Sequence, residues 1–170
     1  FASNYARIIM PIAIGGRTSF TLANIVCVLS GLLLGPIGGL ASGLGSALYD
    51  LTNPLYAAEC WITFLTKGVM GLVAGLLVRR QAREGELSYA RCLVGAVCGC
   101  LAYYVLYFAK SFFYDGLLVE GLQPGVALAA LPLKIPASVF NASVAIIAAP
   151  PLALALQAAL KRSGLTLRRA

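Results

Sequence analysis

The sequence predicts an all-α membrane protein: a compact bundle of six transmembrane helices with both termini in the cytoplasm. Three observations carry this. The chain is 60% hydrophobic and 11% charged, where about a quarter of residues are charged in ordinary soluble domains. Its uncharged runs are long, none of Asp, Glu, Lys or Arg falling between Thr18 and Tyr49 or between Cys92 and Ala109. About 20 apolar residues suffice to cross a bilayer. Finally, the net charge of +7 is concentrated in clusters. Arg79, Arg80, Arg83 and Arg91 form one, and Lys161, Arg162, Arg168 and Arg169 the other. Both flank apolar spans, as the positive-inside rule expects. This placement speaks for membrane lipid as the surroundings and against a nucleic-acid partner. Putting both clusters inside leaves Arg17, Lys110 and Lys134 to the opposite loops, with Arg7 near that end. Six helices satisfy that division, and residues 1–170 read as one integral membrane domain.

Phe1–Ile14 is apolar apart from Arg7 and breaks at Pro11. It reads as the end of a first helix truncated at its N-terminus. Gly15-Gly16-Arg17-Thr18 is a turn-rich loop. The uncharged run that follows divides at Gly35-Pro36 into two short or tilted helices, Phe20–Leu34 and Ile37–Tyr49. Gly31, Gly35, Gly39 and Gly43 recur at every fourth position there. Small residues at that spacing let membrane helices approach closely, so this ladder is a candidate outer face for a partner. Asp50–Tyr56 is a polar loop.

Ala57–Arg80 is a span that contains Glu59 and Lys67. An ionisable side chain at bilayer depth costs roughly 2.5–3.5 kcal/mol on insertion scales and marks a functional site by default. Glu59, Thr63 and Lys67 share one helix face through their four-residue spacing. Lys67 lies about 12 Å deeper than Glu59, at 1.5 Å rise per residue. Glu59 is therefore the expected ligand contact, and Lys67 a buried structural or conformational residue.

Gln81–Arg91 is a charged connector. Cys92–Ala109, extended by Lys110–Tyr114, is the next span, with an aromatic outer half. Two readings fit that half: an interfacial belt, or a face of Tyr103, Tyr107, Lys110 and Tyr114 that stacks on a ring-containing ligand. Asp115–Ile135, rich in proline and glycine, reads as a long or partly re-entrant loop. Ala137–Leu160 is the last span, interrupted by Pro150-Pro151.

Histidine is absent, which removes Ser-His hydrolysis, HExxH zinc chemistry and His proton relays. The five cysteines lie in apolar runs; Cys98-Gly99-Cys100 points its thiols to different helix faces, unsuited to zinc or a disulfide. No catalytic constellation, metal site or cofactor motif emerges, and the chain does not read as an enzyme. No GxxxxGK[ST] loop is present, so ATP cannot drive it by the usual route without partners. The outer helix ends carry Arg7, Asn24, Asp50, Asn53, Tyr56, Glu59, Tyr107, Lys110 and Asn141. Their convergence would make a polar, aromatic pocket for one small molecule.

Three stretches, PIAIGGRTSFTLAN from Pro11, GLLLGPIGGLASGLGSALYDL from Gly31 and TFLTKGVMGLVAGLL from Thr63, resemble the S components of energy-coupling factor (ECF) vitamin transporters, riboflavin-type group. PASVFNASVAIIAAPPL, from Pro136, is similar more loosely. The resemblance implies a six-helix, multi-pass protein of the bacterial plasma membrane. Such a subunit captures a small water-soluble vitamin or precursor from outside and docks on a T component driven by two ATPases. It implies, by position, ligand contacts at Arg17, Asn53, Tyr56, Glu59, Thr63, Lys67, Tyr107 and Asn141. An AxxxA face toward the T component would fall on Ala2 and Ala6. Where riboflavin transporters tend to carry Lys-Asn, this chain has Tyr49-Asp50. That departure weighs against riboflavin and leaves pyridoxine, hydroxymethylpyrimidine, queuosine precursors and pantothenate open. The competing reading is a self-contained secondary transporter of a small metabolite, which inverted repeats would favour; no convincing repeat is visible.

Overall fold

The computed structural model describes residues 1–5, 7–11, 17–54, 56–84 and 87–164. A 3₁₀ turn, Ala2–Tyr5, opens the chain, followed by an antiparallel hairpin of β1 (Arg7–Pro11) and β2 (Arg17–Thr21), with Arg7 opposite Thr21. The helices are α1 (Ala23–Leu34), α2 (Pro36–Leu51), α3 (Cys60–Glu84), α4 (Tyr89–Lys110), the short α5 (Pro124–Ala130) and α6 (Ile135–Arg162). Three helical stretches, Ala57–Arg79, Tyr89–Val119 and Pro124–Arg162, are long and apolar enough to cross a membrane.

The first helix expected from Phe1–Ile14 is not formed by the described residues. Arg7–Pro11 is a strand, consistent with its β-branched Ile8-Ile9 pair and with Pro11, which no helix interior accepts easily. Ala2 sits in the 3₁₀ turn rather than on a helix face, and Ala6 lies outside the described residues.

The division at Gly35-Pro36 is observed. Gly35 adopts φ 79°, and its N–H closes α1 on the Gly31 carbonyl. Only glycine takes that conformation without strain, while Pro36 starts α2 at a position where its missing N–H costs nothing. At 12 and 16 residues, α1 and α2 are about 18 and 24 Å long, short of the roughly 30 Å hydrocarbon core.

The glycine ladder has a different job from the partner-facing one expected. Gly31, Gly35, Gly39 and Gly43 are buried within the chain against α3. A Cβ on Gly31 or Gly39 would come within 2.2 Å of the Gly71 backbone, one on Gly43 within 2.6 Å of Gly68, and one on Gly75 within 2.6 Å of Gly35. The small-residue stripe is consumed in seating the α1–α2 hairpin on α3, so it offers nothing to a second protein. The outward face of α2 is instead aliphatic: Ile37, Leu44, Leu48 and Leu51 are exposed.

Two further expectations change. Pro150 and Pro151 do not interrupt α6, which continues to Arg162. Ala145, Ala149 and Ala153 are fully buried along its inner stripe, and close packing against neighbours holds the helix across the lost hydrogen bonds. The supposed loop Asp115–Ile135 is mostly wound: a π-helix spans Ser111–Val119, then α5, then a 3₁₀ turn, Leu131–Lys134.

The core runs between α1, α3, α4 and α6 through Val28, Leu32, Met70, Ala74, Val78, Ala96 and Ala149, with Cys27, Cys92 and Cys100 among them as small apolar fillers. Outside, Val94, Leu101, Val105, Val139 and Ile147 are exposed. Apolar side chains on both faces of a helix suit lipid surroundings. Both ends of the bundle are polar but differ. At one end Leu87, in the α3–α4 connector, donates its N–H to Gln157 Oε1 near the end of α6 (3.4 Å), which brings Arg79 and Arg91 to the same end as Lys161 and Arg162. The hairpin and the candidate site occupy the other.

Candidate functional site

Four elements build a cavity at the hairpin end. Ser19 and Thr21 come from β2 and Asp50 from α2. Tyr56 and Glu59 stand before α3, with Ile62, Thr63, Thr66 and Lys67 on it; Tyr103, Tyr107 and Lys110 line α4. The space between these side chains amounts to about 630 Å³, open solvent at its mouth included. A smaller space of about 250 Å³ continues beside it, walled by Ser19, Thr21, Tyr103, Tyr104, Tyr107, Ser138 and Asn141.

The hairpin roof is held by one residue of α6. Asn141 Nδ2 donates to the Ser19 carbonyl (2.7 Å) and its Oδ1 accepts from the Thr21 N–H (2.9 Å). An asparagine amide offers a donor and an acceptor in one plane, so it matches the edge of a strand. Thr21 in turn accepts the Ala23 N–H through Oγ1 (3.1 Å), satisfying a free donor at the start of α1.

Asp50 is buried at the last turn of α2, where the helix dipole disfavours a carboxylate. Thr63 Oγ1 donates to its Oδ2 (2.6 Å). The acid also lines the cavity. Lys67, 4% exposed, directs Nζ to Asn4 Oδ1 (2.7 Å), and Asn4 Nδ2 donates to Ser46 Oγ (3.2 Å). The opening 3₁₀ turn is thereby pinned into the groove between α2 and α3.

Lys110 closes the far wall. Its Nζ lies 2.7 Å from Glu59 Oε2 and 2.6 Å from Asp115 Oδ1. The second oxygen of Asp115 meets Lys134 (3.0 Å). Tyr103 and Tyr107 present nearly parallel rings, 11° apart with centroids at 5.8 Å.

Of the residues implied as ligand contacts, Tyr56, Glu59, Thr63, Lys67 and Tyr107 line the main cavity and Asn141 the adjoining one. Asn53 does not line either: it sits in the turn after α2, where its carbonyl accepts the Tyr56 and Ala57 N–H groups (2.9 and 3.0 Å). Arg17 begins β2 at the hairpin end, and its side chain lies outside the described residues. Ser19, Thr21 and Thr66 were not expected; Asp50 and Lys110 were expected at the pocket and Tyr103 on the stacking face, though none of the three is among the contacts that the resemblance implies. For Tyr103 and Lys110 the signal was the shared face with Tyr107; for Asp50 it was a lone acid closing an uncharged run. Nothing in the sequence marks Ser19 and Thr21, whose place depends on strand pairing. Asn24, at the head of α1, is also buried, and its Oδ1 has no hydrogen-bond partner among the described residues.

A helical protein with membrane-length apolar helices and a polar, aromatic cavity at one end is, by class, a membrane protein equipped to hold a small molecule. The comparisons with known proteins narrow the class. The family model for the ECF-type riboflavin transporter, S component, matches residues 3–158, and the chain belongs to that family. This is a family of transporter components, not of enzymes. The chain is also 31% identical over 94 residues to a Pyrococcus woesei protein described as an uncharacterized protein in gap 3'region. That match spans 55% of this chain and 59% of the Pyrococcus protein.

Proposed function

We propose that the chain is the substrate-binding subunit of an ECF-type importer. It takes a small water-soluble vitamin or precursor at the outer face of the bacterial plasma membrane and delivers it inward with a T component and two ATPases. The cavity at the hairpin end supports this best, because it combines a tyrosine pair for a ring with hydroxyl, amide and charged groups around it. Gathering Arg79, Arg91, Lys161 and Arg162 at the opposite end favours, by the positive-inside rule, a cytoplasmic basic end and an outward cavity. In this reading residues 1–170 form one substrate-binding domain. The six-span arrangement with both termini cytoplasmic is part of the same reading, with Ala57–Arg79, Tyr89–Val119 and Pro124–Arg162 as its membrane-length stretches.

The proposed ligand contacts are Tyr56, Glu59, Thr63, Lys67, Tyr107 and Asn141, joined by Asp50 and Lys110. Arg17, at the start of β2, and Asn53, in the turn after α2, belong to the proposal by their position in the chain. Mass spectrometry of small molecules retained by the protein purified in mild detergent tests the reading. Recovery of a stoichiometric vitamin or precursor is the expected result, with copurification of a T component and ATPases from the native membrane. A chain that retains no such molecule, binds none of the panel of riboflavin, pyridoxine, hydroxymethylpyrimidine and pantothenate, and recovers no such partners would sink it.

A further inference from the structure

Four charged side chains run without a break from the cavity wall into the segment after α4: Glu59, Lys110, Asp115 and Lys134, alternating in sign. Glu59 and Lys110 line the cavity. Asp115 and Lys134 do not, yet they are the more buried half, with side chains 9% and 1% exposed against 25% and 16%. Lys134 Nζ also bonds Ser111 Oγ (3.0 Å) and lies 5.9 Å from the centre of the Tyr107 ring. A buried cation over an aromatic face is attracted by the ring quadrupole, so the same amine touches a cavity tyrosine.

The π-helix makes this connection possible. Lys110 and Asp115 are five residues apart, about 140° around a 3.6-residue helix and so unable to meet there. A π-turn closes at i→i+5, and the Glu120 N–H bonds the Asp115 carbonyl (3.0 Å) in that register. One carboxylate therefore reaches both amines, one with each oxygen. Isolated π-turns within helices occur frequently at functional sites.

From this geometry we infer that Asp115 is a positioning residue for the cavity: the hub that fixes Lys110, and through Lys110 the Glu59 carboxylate, against the segment before α6. The cavity's role in holding a ligand rests on the function proposed above; the hub itself does not. Its two alternatives differ in what they predict. A mere counterion for Lys134 would leave the Glu59 wall unchanged once Lys134 is also removed, whereas a hub would not.

Trp61, the only tryptophan, reports on that wall, since it stands two residues from Glu59 and packs edge-on against Tyr114 of the π-helix (6.3 Å between centroids). The experiment is steady-state Trp61 anisotropy of the full chain in lipid nanodiscs, for the wild type, Asp115→Asn, and the pair Asp115→Leu with Lys134→Met. The pair removes the hub and its buried cation together, and so guards against Asp115→Asn failing to fold. A hub predicts loss of anisotropy in the pair with helix content unchanged by circular dichroism, matched by Lys110→Met and not increased by combining the changes. Wild-type anisotropy in the pair, or a pair that does not fold, would overturn the inference and reduce Asp115 to a structural counterion. Riboflavin titration, read by flavin fluorescence, adds a second arm. If riboflavin binds the wild type, the pair should bind about tenfold more weakly, the scale of one hydrogen bond to a charged group. A wild type that binds no riboflavin while the pair loses anisotropy would count against that vitamin and in favour of the hub.

Discussion

The two halves of this bundle are held together by opposite means. Toward the basic end, α1, α2 and α3 meet through glycine against glycine, with Gly31 and Gly39 on Gly71 and Gly35 on Gly75, and valines, leucines, Met70, alanines and cysteines fill the rest. Toward the hairpin end the same helices separate and polar groups take over: Thr63 on Asp50, Lys67 on Asn4, Lys110 between two carboxylates, Asn141 on the strand. In lipid, apolar surface gains little by leaving one apolar medium for another, so helices associate by close packing and interhelical hydrogen bonds. Each half uses one of these. The difference teaches where a cavity can exist, since backbones in contact leave no room, and room with polar walls appears only where side chains space the helices.

Four changes break or sharpen that contrast. The largest effect is expected at the hub of the polar half. Asp115→Ala leaves the fully buried Lys134 amine without its anion, and removing one partner of a buried pair costs about 3–5 kcal/mol. Chemical denaturation in detergent should read this, and a loss below about 1 kcal/mol, the value of an exposed pair, would show the polar half to be looser than drawn. Next comes the packed half. In Gly71→Ala the new Cβ would lie 2.6 Å from Gly39 Cα, so backbones must separate, at about 1–3 kcal/mol for overpacking. The companion Gly125→Ala, where no atom lies within 4 Å, should be tolerated. Equal melting curves for the two would contradict the close approach.

Third, Thr63→Val removes the hydroxyl that donates to Asp50, at about 1 kcal/mol for a hydrogen bond lost from a buried partner. In the retained-ligand assay it should also weaken binding, separating it from Gly71→Ala, which should lower stability without touching the cavity walls. Binding unchanged in Thr63→Val would remove that wall from the site. The smallest effect is expected on the outer face: Val105→Leu, at an exposed apolar position, should stay within roughly ±0.5 kcal/mol. A large loss there would mean that α4 is covered by something other than lipid.

Much of the architecture was legible in the residues. Gly35-Pro36 announced the hairpin of α1 and α2, because glycine and proline act locally. The face of Glu59, Thr63 and Lys67 was legible too, since helical spacing alone sets it, and all three line the cavity. What the face could not reveal is that its members part company: Glu59 goes to α4, Thr63 to α2 and Lys67 to the opening turn. The glycine ladder was read correctly as a close-packing surface and given the wrong partner, because spacing does not say which helix a face meets. Phe1–Ile14 misled for a related reason, as a short apolar stretch has no period long enough to separate strand from helix.

By itself, then, the sequence determined the membrane class, the break between helices at Gly35-Pro36 and the polar face of α3. All of these follow from hydropathy, local backbone preference and helical period, which need no neighbours. Only the tertiary structure decided that Ser19, Thr21 and Asn141 share a roof, that Gly31 meets Gly71, and that Asp115 reaches Lys110 and Lys134 together. Those are contacts between residues distant in sequence, or between residues that an α-helical reading would turn apart. They depend on pairing, crossing and an uncommon helix type that no local rule selects.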